Sequence, residues 1–495
     1  MQSNNVRDKT SLKVLFLAAE ASPFVKIGGL GEVAGSLPKA IKELAPVQEA
    51  TAVDIRLVIP FHGAIQRQAH PFRHLASFTV PSPQGDIPSQ ALETELDGLP
   101  VYFISGPPIP QDAPVYTADP AIDGYKFTYF SLAVLELART LDWAPDILHA
   151  NDWHTAPAIY ALKVRQDPFF ANTASLLGLH NLPYLGEGAG PALDAFGLPP
   201  SEDGRLPWWA QHLPLPLGLL HSDHIVVVSP HYAREILTPE YGVGLEDFLK
   251  SRLQSITGIL NGLDTSLWDP ATDSALAANF TEDALQARDA NKAALARELD
   301  LNPDPKIPLL AMVSRLDPQK GVDLVPVALR LLAKEPWQLV ILGTGTPELE
   351  EAVRELEAEY PNRVRTAIRF DAMLSRRIYS GADALLIPSR YEPCGLTQMI
   401  AMRYGCVPVA RAVGGLRDTV HDHHAKVRTG FLFARATSKD LASLLRRVFT
   451  VYENKEIWQA LQRNGMSQDL SWKRSATQYQ HLYQQLKRRI IQARK

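Results

Sequence analysis

The sequence predicts an α/β protein made of two doubly wound parallel-sheet domains in tandem. Three observations predict it. Short apolar runs recur along the chain and end in polar or turn residues, as strands buried on both faces do. Stretches of helical character lie between several of these runs, so strand and helix alternate. After GILNGLDTSLWDP, residues 258–270, the same rhythm restarts and marks a second domain of similar size.

The elements follow in order. KVLFLAAE (13–20), VDIRLVIP (53–60) and VYFISG (101–106) read as the first three strands. PDILHAND (145–152), SLLGLHN (175–181) and HIVVVSP (224–230) continue the pattern. GEVAGSLPKAIKEL and FSLAVLELARTL are helical stretches between them. In the second half the strands are IPLLAMVSR (307–315), QLVILGTG (338–345), RVRTAIRF (363–370), DALLIPSR (383–390), VPVAR (407–411) and GFLF (430–433). Helices such as TPELEEAVRELEAEY separate them. The chain closes on SWKRSATQYQHLYQQLKRRIIQARK, a helix whose basic end reads as a solvated face. The expected boundaries are 12–258 for the first domain, 259–475 for the second and 476–495 for the closing helix.

Composition narrows the function classes. A chain of 495 residues is long enough for two or three domains. Hydrophobic residues make up 46% and charged residues 21%, an ordinary soluble globular balance. The formal charge of −4 gives no global basic field, so neither nucleic acid nor an anionic membrane is expected as a partner. Cys394 and Cys406 stand without a surrounding Cys/His cluster, so no disulfide framework and no metal site is expected. The early apolar run is too short for a secretory signal, and no run reaches the ~18 residues of a membrane span. A cytoplasmic enzyme is the expectation.

Doubly wound domains bind ligands outside the carboxyl ends of their strands, and two facing domains form a central cleft. KIGGLGEVAG (26–35) contains Gly29-Leu30-Gly31-Glu32-Val33-Ala34, which fits a dinucleotide fingerprint with Asp54 downstream. In a nicotinamide enzyme those glycines follow the strand at once. Here a stretch ending in SPFVKIG (22–28) intervenes, and it carries Lys26, a point charge suited to phosphate. Gly28 and Gly29 let backbone amides approach a diphosphate at the start of the next helix. SRLDPQKG (314–321) offers Arg315 and Lys320 across a turn, as a fork and a point charge. PSRYEPCGLTQ (388–398) places Glu392 before a turn and Gly395 at a helix start. HANDWHTA (149–156) and LHNLPYLGEG end strands of the first domain and supply Asp152, His154, His180 and Asn181 as candidate polar residues.

Taken in order, KIGGLGEVAGSLP, HANDWHTA, LHNLPYLG, GILNGLD…WDP, SRLDPQKG and YEPCGLTQMIAMRYG resemble the bacterial glycogen synthases and plant starch synthases of glycosyltransferase family 5. The resemblance spans roughly residues 13–480. It implies a GT-B fold of two Rossmann-like domains facing a central cleft. It implies retaining transfer of glucose from ADP-glucose to the nonreducing end of an α-1,4-glucan such as glycogen, without a metal or other cofactor. By the same resemblance, Lys26, Gly28 and Gly29 hold the donor diphosphate, joined by Arg315, Lys320, Leu396 and Thr397. His180 and Asn261 contact the glucose, Glu392 binds its hydroxyls, Phe370 lies on the adenine and Asp152 sits near the acceptor. Four positions depart from the family pattern, the first being Phe370, at a position usually Tyr. Ile27 replaces a smaller residue, Glu32 replaces Asp and so leaves its sugar contact open, and Ile400 stands where Tyr is common. The choice between ADP and UDP stays open at this stage. So do three other readings: a sugar-nucleotide transferase with another acceptor, a nicotinamide oxidoreductase and a noncatalytic glucan-binding protein.

Overall fold

The protein is described here by a computed structural model covering residues 11–44 and 52–493, so the last two residues of the expected closing helix lie outside the described residues. The chain divides into two compact units. The first takes the residues up to Val228, Ala233–Gly262 and the segment from Trp472 onward. The second takes Ser229–Tyr232 and Leu263–Ser471.

The strands of the first unit are β1 (Leu12–Leu17), β2 (Val53–Pro60), β3 (Arg73–Val80), β4 (Ile87–Leu96), β5 (Leu99–Ser105), β6 (Ile147–Asn151), β7 (Ala174–Leu179), β8 (His224–Val227) and β9 (Ile256–Gly258). They form one sheet in the order β3-β4-β5-β2-β1-β6-β7-β8-β9. From β5 to β9 all neighbours are parallel. The pairs β3–β4 and β4–β5 are antiparallel. The six expected runs are all strands, but β3, β4 and β9 are additions. RHLASFTV and IPSQALETEL mix exposed polar with buried apolar positions, because an antiparallel edge has one face in water. A search for continuous apolar runs passes over such strands.

The core of this unit joins Val14, Phe16, Leu37, Ile41, Leu57 and Phe103 to the closing helix, Trp472–Ala493. That helix contributes Trp472, Ala476, Tyr479, Tyr483 and Leu486. Their spacing alternates between four and three residues and so lines one helical face. Burying each large side chain contributes about 1.5–3 kcal/mol, so the helix is a core element of the first unit.

The strands of the second unit are β10 (Leu309–Val313), β11 (Gln338–Leu342), β12 (Val364–Ala367), β13 (Ala384–Ile387), β14 (Val407–Arg411) and β15 (Phe431–Phe433). Their order is β12-β11-β10-β13-β14-β15, parallel throughout. Each unit is therefore a doubly wound α/β domain, as expected. Among the parallel strands of each, the order reverses direction at one place: between β1 and β6, and between β10 and β13. Ligand crevices open at such points. No described helix is long and apolar enough to cross a membrane.

Candidate active site

At the β1/β6 switch point the loop after β1 runs through residues 18–28 before the helix Gly29–Glu43 begins. The glycines thus stand well away from the strand end. Asp54 lies near the start of β2, in register with Lys13 at the amino end of the sheet. There it pairs with Arg56 at 3.2 Å and accepts from Trp143 Nε1 at 3.2 Å. An acidic residue at that end of the sheet cannot read a ribose bound at the other, so the dinucleotide fingerprint is accidental.

The loop is organised by Glu20, which sequence reasoning missed. Its buried carboxylate accepts from the amide of Ile27, and from that of Gly28 at 3.1 and 3.2 Å. The Tyr116 hydroxyl also bonds Glu20, and burial together with that carboxylate pushes the phenol well above its ordinary range. Tyr116 is positioned in turn by buried Lys126, whose Nζ donates to Val115 O at 2.8 Å and to Asp123 at 2.7 Å. The amide of Gly28, expected to face a diphosphate, therefore serves an internal carboxylate in this structure. Gly29 is different, because a Cβ there would meet nothing within 4 Å. Lys26 pairs with Glu32; the lysine side chain is 45% exposed and the glutamate 4%. Ile27 is exposed beside it.

Across the switch point, β6 ends at Asn151 and a helix starts directly at Asp152. Asp152 takes φ +54, the left-handed region that Asp tolerates better than most residues. This elbow turns its carboxylate onto the segment after β7, where it accepts from His180 N at 2.7 Å and Asn181 N at 3.3 Å. Burial pushes the Asp152 carboxyl up to about 7, and Glu20 adds to the shift. His180 and Asn181 lie beyond the end of β7, on the loop rather than the strand. Burial lowers His180 to about 4, so the ring stays neutral. Asn261 is buried, and its Oδ1 has no partner among the described residues. His154 packs against Tyr116, Phe127 and Trp153, and burial holds it down at about 3. It behaves as a core histidine.

At the β10/β13 switch point of the second unit, Arg315 and Lys320 do not converge. Arg315 reaches Asp317 at 2.7 Å and Gln319 Oε1 at 3.1 Å. Lys320 instead crosses to the loop after β13 and sits on both oxygens of Glu392, at 2.9 and 2.7 Å. Ser389 Oγ, also missed from sequence, donates to Glu392 Oε2 at 2.9 Å. Glu392 is 6% exposed. The two loops are pressed together at Gly321, which has φ +66 and whose Cβ would lie 2.2 Å from Pro388 O. Only glycine permits that approach.

Phe370 follows β12 and is 91% exposed, a large apolar face left in water. Leu396 and Thr397 open the short helix Thr397–Arg403, on whose inner side Ile400 is buried. Cys394 is buried just before it. Each proposed phosphate-binding cation thus has a carboxylate partner in its own unit, and those partners hold the cations in place.

Comparison with known proteins agrees with this architecture. A family model described as "Starch synthase catalytic domain" matches residues 13–251, and one described as "Glycosyl transferases group 1" matches residues 297–465. A glycogen synthase of Clostridium perfringens is 37% identical over 489 residues, which is 96% of this chain and 98% of that protein. A glycogen synthase of Thermotoga maritima is 39% identical over 487 residues, 95% of this chain and 98% of that protein. The solved catalytic domain of starch synthase IV from Arabidopsis thaliana, bound to ADP and acarbose, matches with a TM-score of 0.87 at 32% identity, covering 97% of this chain and 100% of that one. Near-complete coverage in both directions, at these identities, extends to both units and both switch points. The chain belongs to the glycogen synthase and starch synthase family of glycosyltransferases, with the GT-B fold.

Proposed function

We propose that this protein transfers glucose from ADP-glucose to the nonreducing end of an α-1,4-glucan, such as glycogen, with retention at the anomeric carbon. The observation that carries the reading is the pairing of half-buried Lys320 with buried Glu392 at the β10/β13 switch point. It sits in a chain similar over nearly its whole length to glycogen synthases.

In this reading the donor diphosphate, with about two negative charges, competes with the internal carboxylates for their cations. It takes Lys320 from Glu392, Arg315 from Asp317 and Lys26 from Glu32. Glu392, relieved of its lysine, accepts from the glucose hydroxyls. Gly29, Leu396 and Thr397 add backbone contacts to the phosphates; the Gly28 amide keeps its place on Glu20 and shapes the loop. The exposed ring of Phe370 suits an adenine face. His180 and Asn261 face the sugar, and the orphaned Asn261 Oδ1 suits a hydroxyl donor. Asp152 stands on the acceptor side.

Retention with a single carboxylate of this kind favours front-face substitution. The leaving diphosphate draws the proton of the acceptor hydroxyl as the new bond forms on the same face. Lys26, Arg315 and Lys320 stabilise the charge that grows on it, each by about 3–4 kcal/mol when held in place beforehand. The test is to mix the protein with ADP-glucose or UDP-glucose and glycogen, then measure nucleotide release and polymer growth. ADP release with glycogen extension is expected. Faster release from UDP-glucose overturns the donor, and no release from either overturns the reading.

A further inference from the structure

We propose that Asn151 sets the tautomer of His180, holding Nε2 as the N–H and leaving the Nδ1 lone pair to accept from a sugar hydroxyl. The sugar half of this statement rests on the reading that His180 meets glucose; the tautomer half does not.

The argument starts at the end of β6. Asn151 Nδ2 donates to Leu17 O, the last carbonyl of β1, at 2.8 Å. A backbone carbonyl only accepts, so the amide must present its NH2 there and its oxygen on the other side. That oxygen meets His180 Nε2 at 2.8 Å. An amide oxygen cannot donate, so Nε2 must carry the proton. A neutral imidazole has one N–H, which leaves Nδ1 bare. The sheet itself therefore dictates the tautomer, through a carbonyl on the neighbouring strand of the switch point.

The surroundings support the same assignment. His180 is held separately by its backbone, whose N–H donates to Asp152 Oδ1 at 2.7 Å, so the ring starts from a fixed position beside Asn151. The meeting point exists because residue 178 has no side chain. A Cβ on Gly178 would lie 2.5 Å from Asn151 Oδ1, 3.2 Å from His149 Nε2 and 3.3 Å from His180 Nε2. His149, the neighbouring ring, bonds the Tyr483 hydroxyl through Nδ1 at 2.7 Å, and its Nε2 makes no hydrogen bond among the described residues, so the amide oxygen is taken by His180 alone of the two rings. The titratable groups around His180 are His149 on β6, Asp152 and His154 on the following helix, and Glu20 behind Asp152. Burial keeps the ring neutral, so the proton's position, rather than its number, is what Asn151 controls.

The first test uses the full-length protein labelled with 15N-histidine. Two-bond 1H–15N correlation spectra distinguish the tautomers, and loss of a signal in His180→Gln assigns the ring. The expected spectrum shows a protonated Nε2 and a bare Nδ1, unchanged between about pH 5.5 and 8. A protonated Nδ1, or a titration near the ordinary histidine value of ~6.5, overturns the proposal. The second test is Asn151→Leu, which keeps bulk and removes the amide. It should give mixed tautomers and lower kcat/KM about tenfold, while ADP affinity stays the same. Retention of the single Nε2–H form overturns Asn151 as the setter. Mixed tautomers with unchanged kcat/KM overturn the sugar half. If the variant does not fold, the unsubstituted protein's spectrum decides. A protein inactive with both nucleotide sugars overturns the function proposed above and the sugar half here, and the spectrum still judges the tautomer.

Discussion

Replacing Glu392 by Gln changes charge but hardly changes size, so it isolates what the carboxylate does. The carboxylate receives three contacts: Lys320 Nζ at 2.9 and 2.7 Å and Ser389 Oγ at 2.9 Å. Glutamine has one acceptor oxygen, which at the place of Oε2 still serves Lys320 and Ser389, but the second lysine contact, at Oε1, is lost. Its NH2 then faces a donor, and the charge that matched the ammonium is gone. Losing one charge-assisted hydrogen bond costs about 1.5–3 kcal/mol. If that bond passes to glucose hydroxyls in the transition state, turnover falls by a factor of roughly ten to 150. ADP binding should behave differently, because Lys320 no longer has to leave a carboxylate to meet phosphate. Its affinity should hold or tighten. The assay pairs steady-state ADP release with ADP titration by calorimetry on the same folded variant. A loss of ADP affinity as large as the loss of turnover would refute the assignment, placing Glu392 in the nucleotide site or the scaffold.

Lys26→Ala should lower kcat/KM for the nucleotide sugar by about tenfold or more and also lower the melting temperature, because Glu32 is left buried without its cation. Adding Glu32→Gln should restore the melting temperature but not the activity; restored activity would mean that Lys26 does not meet the donor. His62, held at about 4 by burial with Nε2 on Ala19 O, is neutral when folded and titrates near 6.5 when unfolded. Its contribution, about 3 kcal/mol at most, is full above pH ~6.5 and lost as pH falls toward 4. Urea midpoints across that window should drop for the native sequence and drop less for His62→Gln. Asp152 has the opposite sign: raised to about 7, it favours folding fully below pH ~4 and loses that contribution as pH rises to 7. Asp152→Asn, which keeps an acceptor for the two amides, should therefore flatten stability between pH 4 and 7. An unchanged slope would show that the carboxyl ionises freely in the folded state.

Apart from the three-residue, half-buried β9, the parallel strands were legible because burial on both faces writes a continuous apolar run, as in SLLGLHN and DALLIPSR. The antiparallel strands β3 and β4 were not, since a half-solvated strand shares its polar residues with loops. Lys320 and Glu392 were recognised singly, each by its place after a strand. That they touch follows from the strand order β10–β13, which brings together loops far apart in sequence. Glu20 and Asn151 were passed over although both stand in quoted strand ends. Their roles lie in hydrogen bonds to backbone groups of other segments, and a side chain's partner on a neighbouring strand leaves no periodic trace in sequence. Asp54 shows the converse. Its spacing from the glycines fits a nucleotide motif, but the sheet puts it at the wrong end.

The closing helix has a consequence for biosynthesis. Because Trp472–Ala493 completes the core of the first unit, the last piece of that unit is separated from the rest by the whole of Leu263–Ser471. A nascent chain that has emerged as far as β9 carries every strand of its sheet but lacks Tyr479, Tyr483 and Leu486 to cover it. The sticky surface persists until the second unit has also been translated, although domains commonly fold in order from the ribosome. The second unit, Ser229–Tyr232 with Leu263–Ser471, is complete once Ser471 has emerged and can close first. Messages cut short before codon 472 thus yield a finished second unit attached to an unroofed first one, a species suited to capture by chaperones or proteases rather than to partial activity.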